Sequence, residues 1–211
     1  MEKFLLLCRH SDKTKDGKHI SATGLKLVMD CFPGMIVASA RLADLSGQRT
    51  VDDFFHGPLV RTSETMAAAV IAAKSYIAEV HSEAINQLGS QETFDKYFKD
   101  GFRDAVKATG SNYLGAKQIF GGKFDHECQV CLEGVKDMFN KMEKQFAAGL
   151  FHSPTVEMAA SKCLWNCPEA VDGKMPENLI LASLDGILFK HDESDVITII
   201  GVVRAKAINQ I

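Results

Sequence analysis

Short apolar runs alternate along this chain with longer stretches whose apolar residues recur at helical spacing. Residues 4–8 form a continuous apolar run, which is typical of a strand buried on both faces. Residues 61–77 are rich in alanine and contain neither glycine nor proline, which predicts a helix capped by Thr62 or Ser63. The same reasoning predicts further strands at 51–56, 147–151 and 196–203, and further helices at 22–29, 35–45, 94–108, 125–146 and 155–162.

Two local signals interrupt or reverse these elements. Pro33 and Gly34 separate two helical stretches, because proline lacks the N–H that a helix interior requires. The dipeptide 185–186 (Asp-Gly) lies between the apolar runs 179–184 and 187–189, which predicts a hairpin. Strands that alternate with helices indicate a mainly parallel sheet covered on both faces. We therefore expect an α/β fold, specifically a three-layer α/β/α sandwich.

Composition narrows the class of protein but does not name its activity. The 211 residues are 46% hydrophobic and 24% charged, with a net charge of −3, as in ordinary globular proteins. A mildly acidic chain lacks the basic surface that binds nucleic acid or anionic membranes, so we expect neither partner. Apolar runs fall far short of the ~20 residues of a membrane span. The six cysteines occur without a secretory leader, so we expect a reduced, cytoplasmic protein.

Cationic side chains or histidines follow three of the predicted strands, at the point where each strand ends. Arg9 and His10 follow the first strand, and Arg61 lies in the first turn of the helix after the second. His152 follows the strand at 147–151. Open α/β sheets bind ligands at the carboxyl ends of their strands, and helix N-termini favour anions. Each position alone is more often structural than catalytic, but the three together predict an anion site.

These segments resemble the motifs of the histidine phosphatase (phosphoglycerate mutase-like) superfamily. Residues 9–13 (RHSDK) resemble its Arg-His-Gly signature and are most similar to the short phosphohistidine phosphatases. Residues 20–24 (ISATG) resemble its Leu-Thr-x-x-Gly element, and residues 57–65 (GPLVRTSET) its Ser-Pro-Leu-x-Arg-Thr-x-x-Thr motif. Residues 152–157 (HSPTVE) resemble the segment with the second active-site histidine. The motifs occur in the family's order.

The resemblance implies a phosphatase that passes a phosphoryl group through His10. A neutral imidazole nitrogen attacks phosphorus, and water then hydrolyses the phosphohistidine. Arg9, Arg61 and His152 would hold the nonbridging oxygens, because a guanidinium and a phosphate pair through two hydrogen bonds. We expect these cations to lower the pKa of His10. Further candidates for binding the phosphate are Ser11, Asp12 and Ser153.

The same resemblance implies the surroundings of the site. It implies one domain over residues 1–211, with a helical cap at about 89–125. It implies no metal and no cofactor. The substrate it implies is a small phosphomonoester or a phosphohistidine, carried by a small molecule or a phosphoprotein. No motif indicates an oligomeric state.

The chain departs from the family at the general acid, the group that protonates the leaving oxygen. Gln87 aligns with the family's glutamate, and an amide cannot deliver a proton. The acid is then Glu83, Glu92 or Asp12, or the substrate has a leaving group that needs little help. A weakly active or inactive phosphate-binding relative is the second hypothesis. Ser11 replaces the glycine of the signature and adds bulk to the phosphate loop.

A zinc-stabilised interaction protein is a third hypothesis. Cys128 and Cys131 form a C-x-x-C preceded by His126, and Cys163 and Cys167 form a later pair. Four thiolates suit tetrahedral zinc. The first pair lies within a helical pattern rather than a glycine-rich knuckle, so ordinary cysteines that pack as small hydrophobes are the preferred interpretation.

Several other polar and aromatic residues have an ordinary structural interpretation. Glu64 and Glu157 lie in the first turns of predicted helices, where carboxylates stabilise the helix dipole. Trp165 is expected to pack in the core. Three lysines of the loop after the first strand could reach a second phosphate or a carboxylate of a substrate, but lysines on a polar loop are usually only solvated: Lys13, Lys15 and Lys18.

Overall fold

A single sheet organises the described part of the chain. The computed structural model describes residues 1–45, 47–48, 50–74, 79–80, 85–88 and 101–208. Its strands are β1 (Lys3–Arg9), β2 (Asp53–His56), β3 (Glu79–Val80), β4 (Phe146–Phe151), β5 (Leu164–Trp165), β6 (Gly186–His191) and β7 (Ile197–Val203). Over the described residues they form a seven-stranded sheet in the order β3-β2-β4-β1-β6-β7-β5.

Helices cover both faces of this sheet. They are α1 (Ala22–Leu42), α2 (Val60–Ala72), α3 (Phe102–Thr109), α4 (Asn112–Phe120), α5 (Phe124–Lys141), α6 (Thr155–Ala160) and α7 (Ala205–Ile208). Single 3₁₀ turns occur at Asn86–Leu88 and Gly121–Lys123. The strands β1 to β4 run parallel, whereas β6 runs antiparallel to both of its neighbours, β1 and β7. None of the described helices is both long enough and apolar enough to cross a membrane.

The central strand β1 explains the three layers. Its side chains point alternately to the two faces, as in any strand. Leu5 and Leu7 lie in the core cluster that includes Val135 of α5, and Leu6 lies in the opposite cluster with Phe32 of α1. Because both faces are buried between the two ends of the strand, every position from Phe4 to Cys8 is apolar, which is why this part of the sequence is a continuous run. The predicted α/β/α sandwich with a mainly parallel sheet is confirmed.

The predicted break at Pro33 is wrong, because α1 runs through it without interruption. Phe32 before the proline and Met35 and Ile36 after it are all buried in one core cluster. Proline forfeits one backbone hydrogen bond of the helix. Packing of both halves against the same face of the sheet outweighs that loss.

The predicted hairpin around Asp185 is also wrong. β6 begins at Gly186 and pairs with β1 and β7, while residues 179–184 form a loop without strand pairing. The Asp185 carboxylate accepts hydrogen bonds from the Ala205 N–H (2.9 Å) and from the Arg204 guanidinium (2.8 Å). Asp185 therefore ties the loop to the start of α7. The antiparallel hairpin of the sheet is the next one along the chain, β6–β7.

The predicted helix over 125–146 ends too late. α5 ends at Lys141, and Phe146 begins β4, where it pairs with Phe4 of β1. The Lys3 ammonium donates to the carbonyls of Phe139 (2.8 Å) and Met142 (2.7 Å). Carbonyls at a helix end lack partners within the helix, so this lysine stabilises the termination at that point.

Candidate active site

The sheet brings the three predicted strand ends to one edge. β2, β4 and β1 are adjacent and parallel, so the residues that follow them meet at the carboxyl side of the sheet. The His10 N–H donates to the carbonyl of Phe151 (2.7 Å), which joins the end of β1 to the end of β4. Arg61 lies one residue into α2, directly after β2. His10, Arg61 and His152 are thereby assembled from positions far apart in sequence.

The imidazole of His10 is held in one tautomer. Nδ1 lies 2.6 Å from the carbonyl oxygen of Ser11, which can only accept, so Nδ1 carries the proton. Nε2 accepts a hydrogen bond from Arg61 Nε at 3.3 Å. The ring is only 7% exposed. Nε2 therefore carries the lone pair of the ring and is the atom of His10 that can act as a nucleophile. It faces Arg61.

Burial and neighbouring cations keep this imidazole neutral. Burial is the largest cause, and together with the positive charges of Arg61, Arg9 and Lys13 it lowers the pKa of His10 from 6.5 to about 3. The hydrogen bond to the Ser11 carbonyl acts in the opposite direction but is outweighed. The predicted direction of the pKa shift is confirmed, although burial contributes more than the cations.

His152 lies against His10. The ring centroids are 4.9 Å apart and the rings meet edge to face, with an interplanar angle of 69°. Arg61 Nη2 donates to His152 Nδ1 at 3.4 Å. His152 is 1% exposed, and burial, followed by the charges of His10 and Arg61, holds its pKa well below 6.5. Both histidines are neutral at physiological pH. The positive charge next to the two rings is that of the Arg61 guanidinium, which contacts both of them.

Arg61 is positioned by three contacts and by the turn that precedes it. Besides the two histidines, it donates through Nη1 to the carbonyl of Gly17 at 3.0 Å. The Thr62 hydroxyl donates to the carbonyl of Gly57 at 2.6 Å, which fixes the junction between β2 and α2. The helix N-cap is Leu59, so the prediction that Thr62 or Ser63 caps this helix is wrong. The threonine hydroxyl stabilises the turn instead.

Arg9 enters the site from the end of β1. Its Nη1 donates to the carbonyl of Leu181 at 2.8 Å, in the loop before β6. Arg9 and Arg61, together with His10 and His152, line one cavity of about 520 Å³. The structure therefore brings together all four residues predicted to be catalytic. The arrangement can bind a small anion next to a neutral imidazole nitrogen.

Ser11 and Asp12 are held by the elements around the phosphate loop. The Ser11 hydroxyl is buried and donates to the carbonyl of Gly24 at 2.8 Å, at the start of α1. The Ser11 N–H donates to the Thr65 hydroxyl at 3.4 Å. Asp12 accepts a hydrogen bond from the Ser183 hydroxyl. The side chain that replaces the family's glycine is thus accommodated by bonding to α1.

Ser153 connects the site to a buried acid. Its hydroxyl donates to Glu157 Oε1 at 2.5 Å and accepts from the Asn112 amide at 2.8 Å. Glu157 is 1% exposed, and its other carboxyl oxygen, Oε2, has no hydrogen-bond partner among the described residues. Burial, only partly opposed by the hydrogen bond from Ser153, raises the pKa of Glu157 to about 7. The interpretation of Glu157 as a carboxylate that merely stabilises the helix dipole is incomplete, because it also holds Ser153.

The general-acid candidates differ in where they lie. Gln87 is exposed on a 3₁₀ turn, packs against Gly134 of α5, and does not line the cavity. Glu83 and Glu92 lie outside the described residues. Asp12 lines a second cavity of about 590 Å³ that shares Arg9 and His10 with the first. Within the described residues, Asp12 is the predicted acid that the fold places beside His10.

Sequence reasoning missed the part of the cavity wall that α3 and α4 form. Phe102, Arg103, Val106 and Lys107 of α3 line the cavity with Asn112 of α4. Their segment is polar and carries no motif, so no signal in the sequence connects it to His10. Residues 94–100 of the predicted helix at 94–108 lie outside the described residues. Ser183 and Leu181, which hold Asp12 and Arg9, were missed because their apolar run carries no motif and was predicted to form a strand of a hairpin.

The cysteines pack as hydrophobic side chains. Cys8, Cys128 and Cys131 are buried, and burial is the main cause that raises the pKa of each thiol. Cys163 and Cys167 are partly buried against the same core cluster as Trp165, which is 4% exposed. Among the described residues, no three His, Cys, Asp or Glu side chains are grouped so that they could hold a metal ion. Nothing in the geometry therefore favours the zinc hypothesis.

Comparison with known proteins supports the fold that the motifs implied. No protein-family model matches the sequence, and no curated protein matches it. The alpha-ribazole phosphatase from Shigella flexneri is similar in structure, with a TM-score of 0.59 and 13% identity over 96% of each chain. A phosphoglycerate mutase from Bacillus anthracis has a TM-score of 0.59 and 9% identity over 99% of this chain and 96% of its own.

The protein histidine phosphatase SixA, solved with tungstate, is also similar. It has a TM-score of 0.51 and 12% identity, over 97% of this chain and 98% of its own. At such identities the similarity is one of architecture. The chain therefore shares the phosphoglycerate mutase-like fold of these three proteins.

Proposed function

We propose that this protein is a phosphatase that hydrolyses a small phosphomonoester or a phosphohistidine through a covalent phosphohistidine on His10. The observation that carries the proposal is the hydrogen bond from His10 Nδ1 to the Ser11 carbonyl at 2.6 Å. It fixes the proton on Nδ1 and leaves the lone pair of Nε2 in a cavity that two arginines line. A neutral, oriented nitrogen beside fixed cations is what attack on a phosphoryl group requires.

The first step forms a bond between His10 Nε2 and phosphorus. It breaks the bond from phosphorus to the leaving oxygen of a phosphomonoester, or to the leaving ring nitrogen of a phosphohistidine. Arg61 Nε donates to Nε2 at 3.3 Å, so the guanidinium must exchange this bond for one to a phosphoryl oxygen before attack. In the second step, water attacks phosphorus and restores Nε2. The released products are an alcohol, or a second imidazole, and inorganic phosphate.

The cations offset the charge that the phosphoryl oxygens carry through both steps. Arg9 and Arg61 approach from different walls of the cavity, and each offers a planar fork of donors. Two guanidinium groups match the two negative charges of a phosphomonoester. The ring centroid of His152 lies 4.9 Å from that of His10, so the ring of His152 adds a polar group to the phosphoryl site. Preorganised charge of this kind is commonly the largest contribution to phosphoryl-transfer catalysis.

We assign to Asp12 the role of the general acid, which donates a proton to the leaving group. Asp12 is the predicted acid that shares a cavity wall with His10 in the described residues. Its hydrogen bond from Ser183 holds the carboxyl in place. We further propose that residues 101–125, the described part of the predicted cap, cover the site, since α3 and α4 line the cavity. The substrate is then a small phosphorylated molecule or a phosphoprotein side chain that reaches beneath it.

The direct test is turnover of p-nitrophenyl phosphate by the wild type, by His10→Gln and by the control His126→Gln. His126 is exposed on α5 and does not line the cavity, so it matches the chemical change without touching the site. We expect His126→Gln to turn over like the wild type and His10→Gln to lose at least ~1000-fold, because the nucleophile is gone. Mass spectrometry after a rapid quench should find one phosphoryl group on His10. Undiminished turnover by His10→Gln would show that His10 is not the nucleophile.

A noncatalytic phosphate-binding protein is the second candidate, and one observation favours it. Gln87, which aligns with the family's acid, is an amide, and it faces α5 rather than the cavity. This candidate predicts that inorganic phosphate binds to the wild type while no substrate turns over. It also predicts that Arg9→Met weakens this binding. A phosphatase that uses Asp12 predicts instead that Asp12→Asn slows turnover of alkyl phosphates more than that of p-nitrophenyl phosphate, whose leaving group needs less help.

A further inference from the structure

The cavity around His10 holds more positive charge than one phosphoryl group needs. Among the described residues that line it, five are cationic and one, Asp16, is acidic. Arg9 and Arg61 belong to the phosphoryl site described above. The remaining cations come from two different elements: Lys13 from the loop after β1, and Arg103 and Lys107 from α3. The protein as a whole has a net charge of −3, so this excess is local.

Protein carboxylates do little to neutralise these three side chains. Among the described residues, Lys13 and Arg103 form no ion pair with any carboxylate. Lys107 is 3.9 Å from Asp104, and both side chains are largely exposed, so this pair contributes little. Asp16 accepts hydrogen bonds from the Thr14 hydroxyl (2.5 Å) and the Lys18 N–H (3.1 Å).

The cations act on one another, which shows that they share one electrostatic environment. Burial, followed by the charges of Arg61, Arg9 and Arg103, lowers the pKa of Lys13. Mutual repulsion of like charges costs free energy in the empty protein. A bound anion that lies between them recovers that free energy.

Apolar side chains lie on the same wall as these cations. Phe102 and Val106 of α3 line the cavity together with Arg103 and Lys107. A residue and its neighbours three and four positions later share a helix face, so this face of α3 combines apolar and cationic contacts. It suits a ligand with a short carbon skeleton that ends in a second charge.

We propose that Lys13 and Arg103, with Lys107 at the rim, form a second anion subsite, and that the substrate is a small molecule with a second carboxylate or phosphate besides the scissile phosphate. The inference rests on the proposed function, since the phosphoryl group occupies the subsite of Arg9 and Arg61. Carboxylate and phosphate share the chemistry that guanidinium and ammonium groups recognise. The cavity volume of about 520 Å³ fits a small molecule.

The test is a set of binding measurements by calorimetry, which do not depend on turnover. The probes are methylphosphonate, phosphonopropionate, the neutral amide of phosphonopropionate, and propylene bisphosphonate. The acid and its amide differ only in the second charge. We expect the wild type to bind the acid and the bisphosphonate at least ~10-fold more tightly than the amide or methylphosphonate. Whichever of these two probes, each with two anionic groups, binds more tightly identifies the second group.

Three substitutions at two residues, with one control, assign the effect to Lys13 and Arg103. In Lys13→Gln and Arg103→Gln, the preference for the acid over the amide should fall to about threefold or less, whereas Arg103→Lys should retain part of it. Lys117→Gln is the control, because Lys117 is an exposed lysine of α4 that pairs with Glu177 and does not line the cavity. It should leave the preference unchanged.

The outcomes separate this inference from the proposed function. If methylphosphonate and inorganic phosphate both fail to bind, the phosphoryl site itself is wrong. If methylphosphonate binds but the acid and the amide bind equally, the second subsite is wrong while the phosphatase proposal stands. An acidic phosphopeptide that binds more tightly than every small dianion would also overturn the inference, in favour of a protein substrate. Loss of the preference in Lys117→Gln would show that it reflects general surface charge.

Discussion

Arg204 and Asp185 form an ion pair, 2.8 Å between Nη1 and Oδ2, behind the loop that holds Arg9. Asp185 also accepts from the N–H groups of Ala182 (3.1 Å) and Ala205 (2.9 Å), so the carboxylate closes the loop on both sides. Within that loop, Leu184 has a φ of +69°, a conformation that leucine rarely adopts. The loop therefore keeps its shape only because these contacts and its buried leucines hold it.

We expect Arg204→Met to weaken binding of inorganic phosphate by about tenfold, through Arg9. Arg9 donates to the carbonyl of Leu181 in this loop at 2.8 Å, so a loosened loop leaves its guanidinium unsupported. In a double-mutant cycle, Arg204→Met should have little effect when Arg9→Met is already present. Lys206→Met, an exposed position of α7, is the control. Fully additive losses would show that Arg204 does not act through Arg9.

We expect His10 to remain neutral through the whole physiological range. Burial and the nearby cations place its pKa at about 3, so its imidazole signals should not titrate between pH 5 and 8 when followed by nuclear magnetic resonance. The nitrogen shifts should report a proton on Nδ1. In Arg61→Met the midpoint should rise but stay below 6.5, because burial is the larger cause of the shift. A midpoint near 6.5 in the wild type would contradict the buried geometry.

We expect Glu157 to make the folded protein less stable as the pH rises. Its pKa is raised from 4.5 to about 7 in the folded state, so between these values the unfolded chain loses a proton that the folded protein keeps. Relative to Glu157→Gln, the free energy of unfolding of the wild type should fall by up to about 3 kcal/mol from pH 4.5 to 7 and then level off. Urea denaturation at several pH values measures this difference. Glu143→Gln, at an exposed position, is the control, and an equal pH dependence there would contradict the assignment.

We expect Gly24→Ala to disturb the phosphate loop. A Cβ at position 24 would lie 2.2 Å from the backbone oxygen of Asp12, so either the loop or the start of α1 must move. Such overpacking commonly costs about 1–3 kcal/mol. It would also weaken the hydrogen bond of Ser11 to the Gly24 carbonyl. Denaturation and phosphate binding should both report the loss.

Gly122→Ala is the matched control, because no atom lies within 4 Å of the added Cβ. It should leave phosphate affinity unchanged. Unchanged affinity in Gly24→Ala as well would show that the loop after β1 tolerates displacement and does not position His10.

Local sequence predicted the elements that are decided by a single run of residues. β1 was predicted because a strand buried on both faces is apolar at every position, and Leu5 and Leu6 pack into opposite core clusters. Predictions failed where distant residues decide the outcome. α1 continues through Pro33 because the sheet packs against both halves, and α5 ends at Lys141 because Lys3 binds its terminal carbonyls.

Local sequence was enough to predict the alternating α/β order and the motifs that imply the chemistry of the site. It also predicted that Arg9, His10 and His152 follow strands, and that Arg61 lies in the first turn of a helix after a strand. The folded chain was needed to learn how these residues meet, which nitrogen of His10 carries the proton, and that α3 places Arg103 in the same cavity. The difference lies in how far apart in the sequence the interacting residues are. Strand and helix patterns arise from neighbours in the chain, whereas a hydrogen bond, a buried charge or a cavity wall depends on groups that are brought together only when the sheet is assembled.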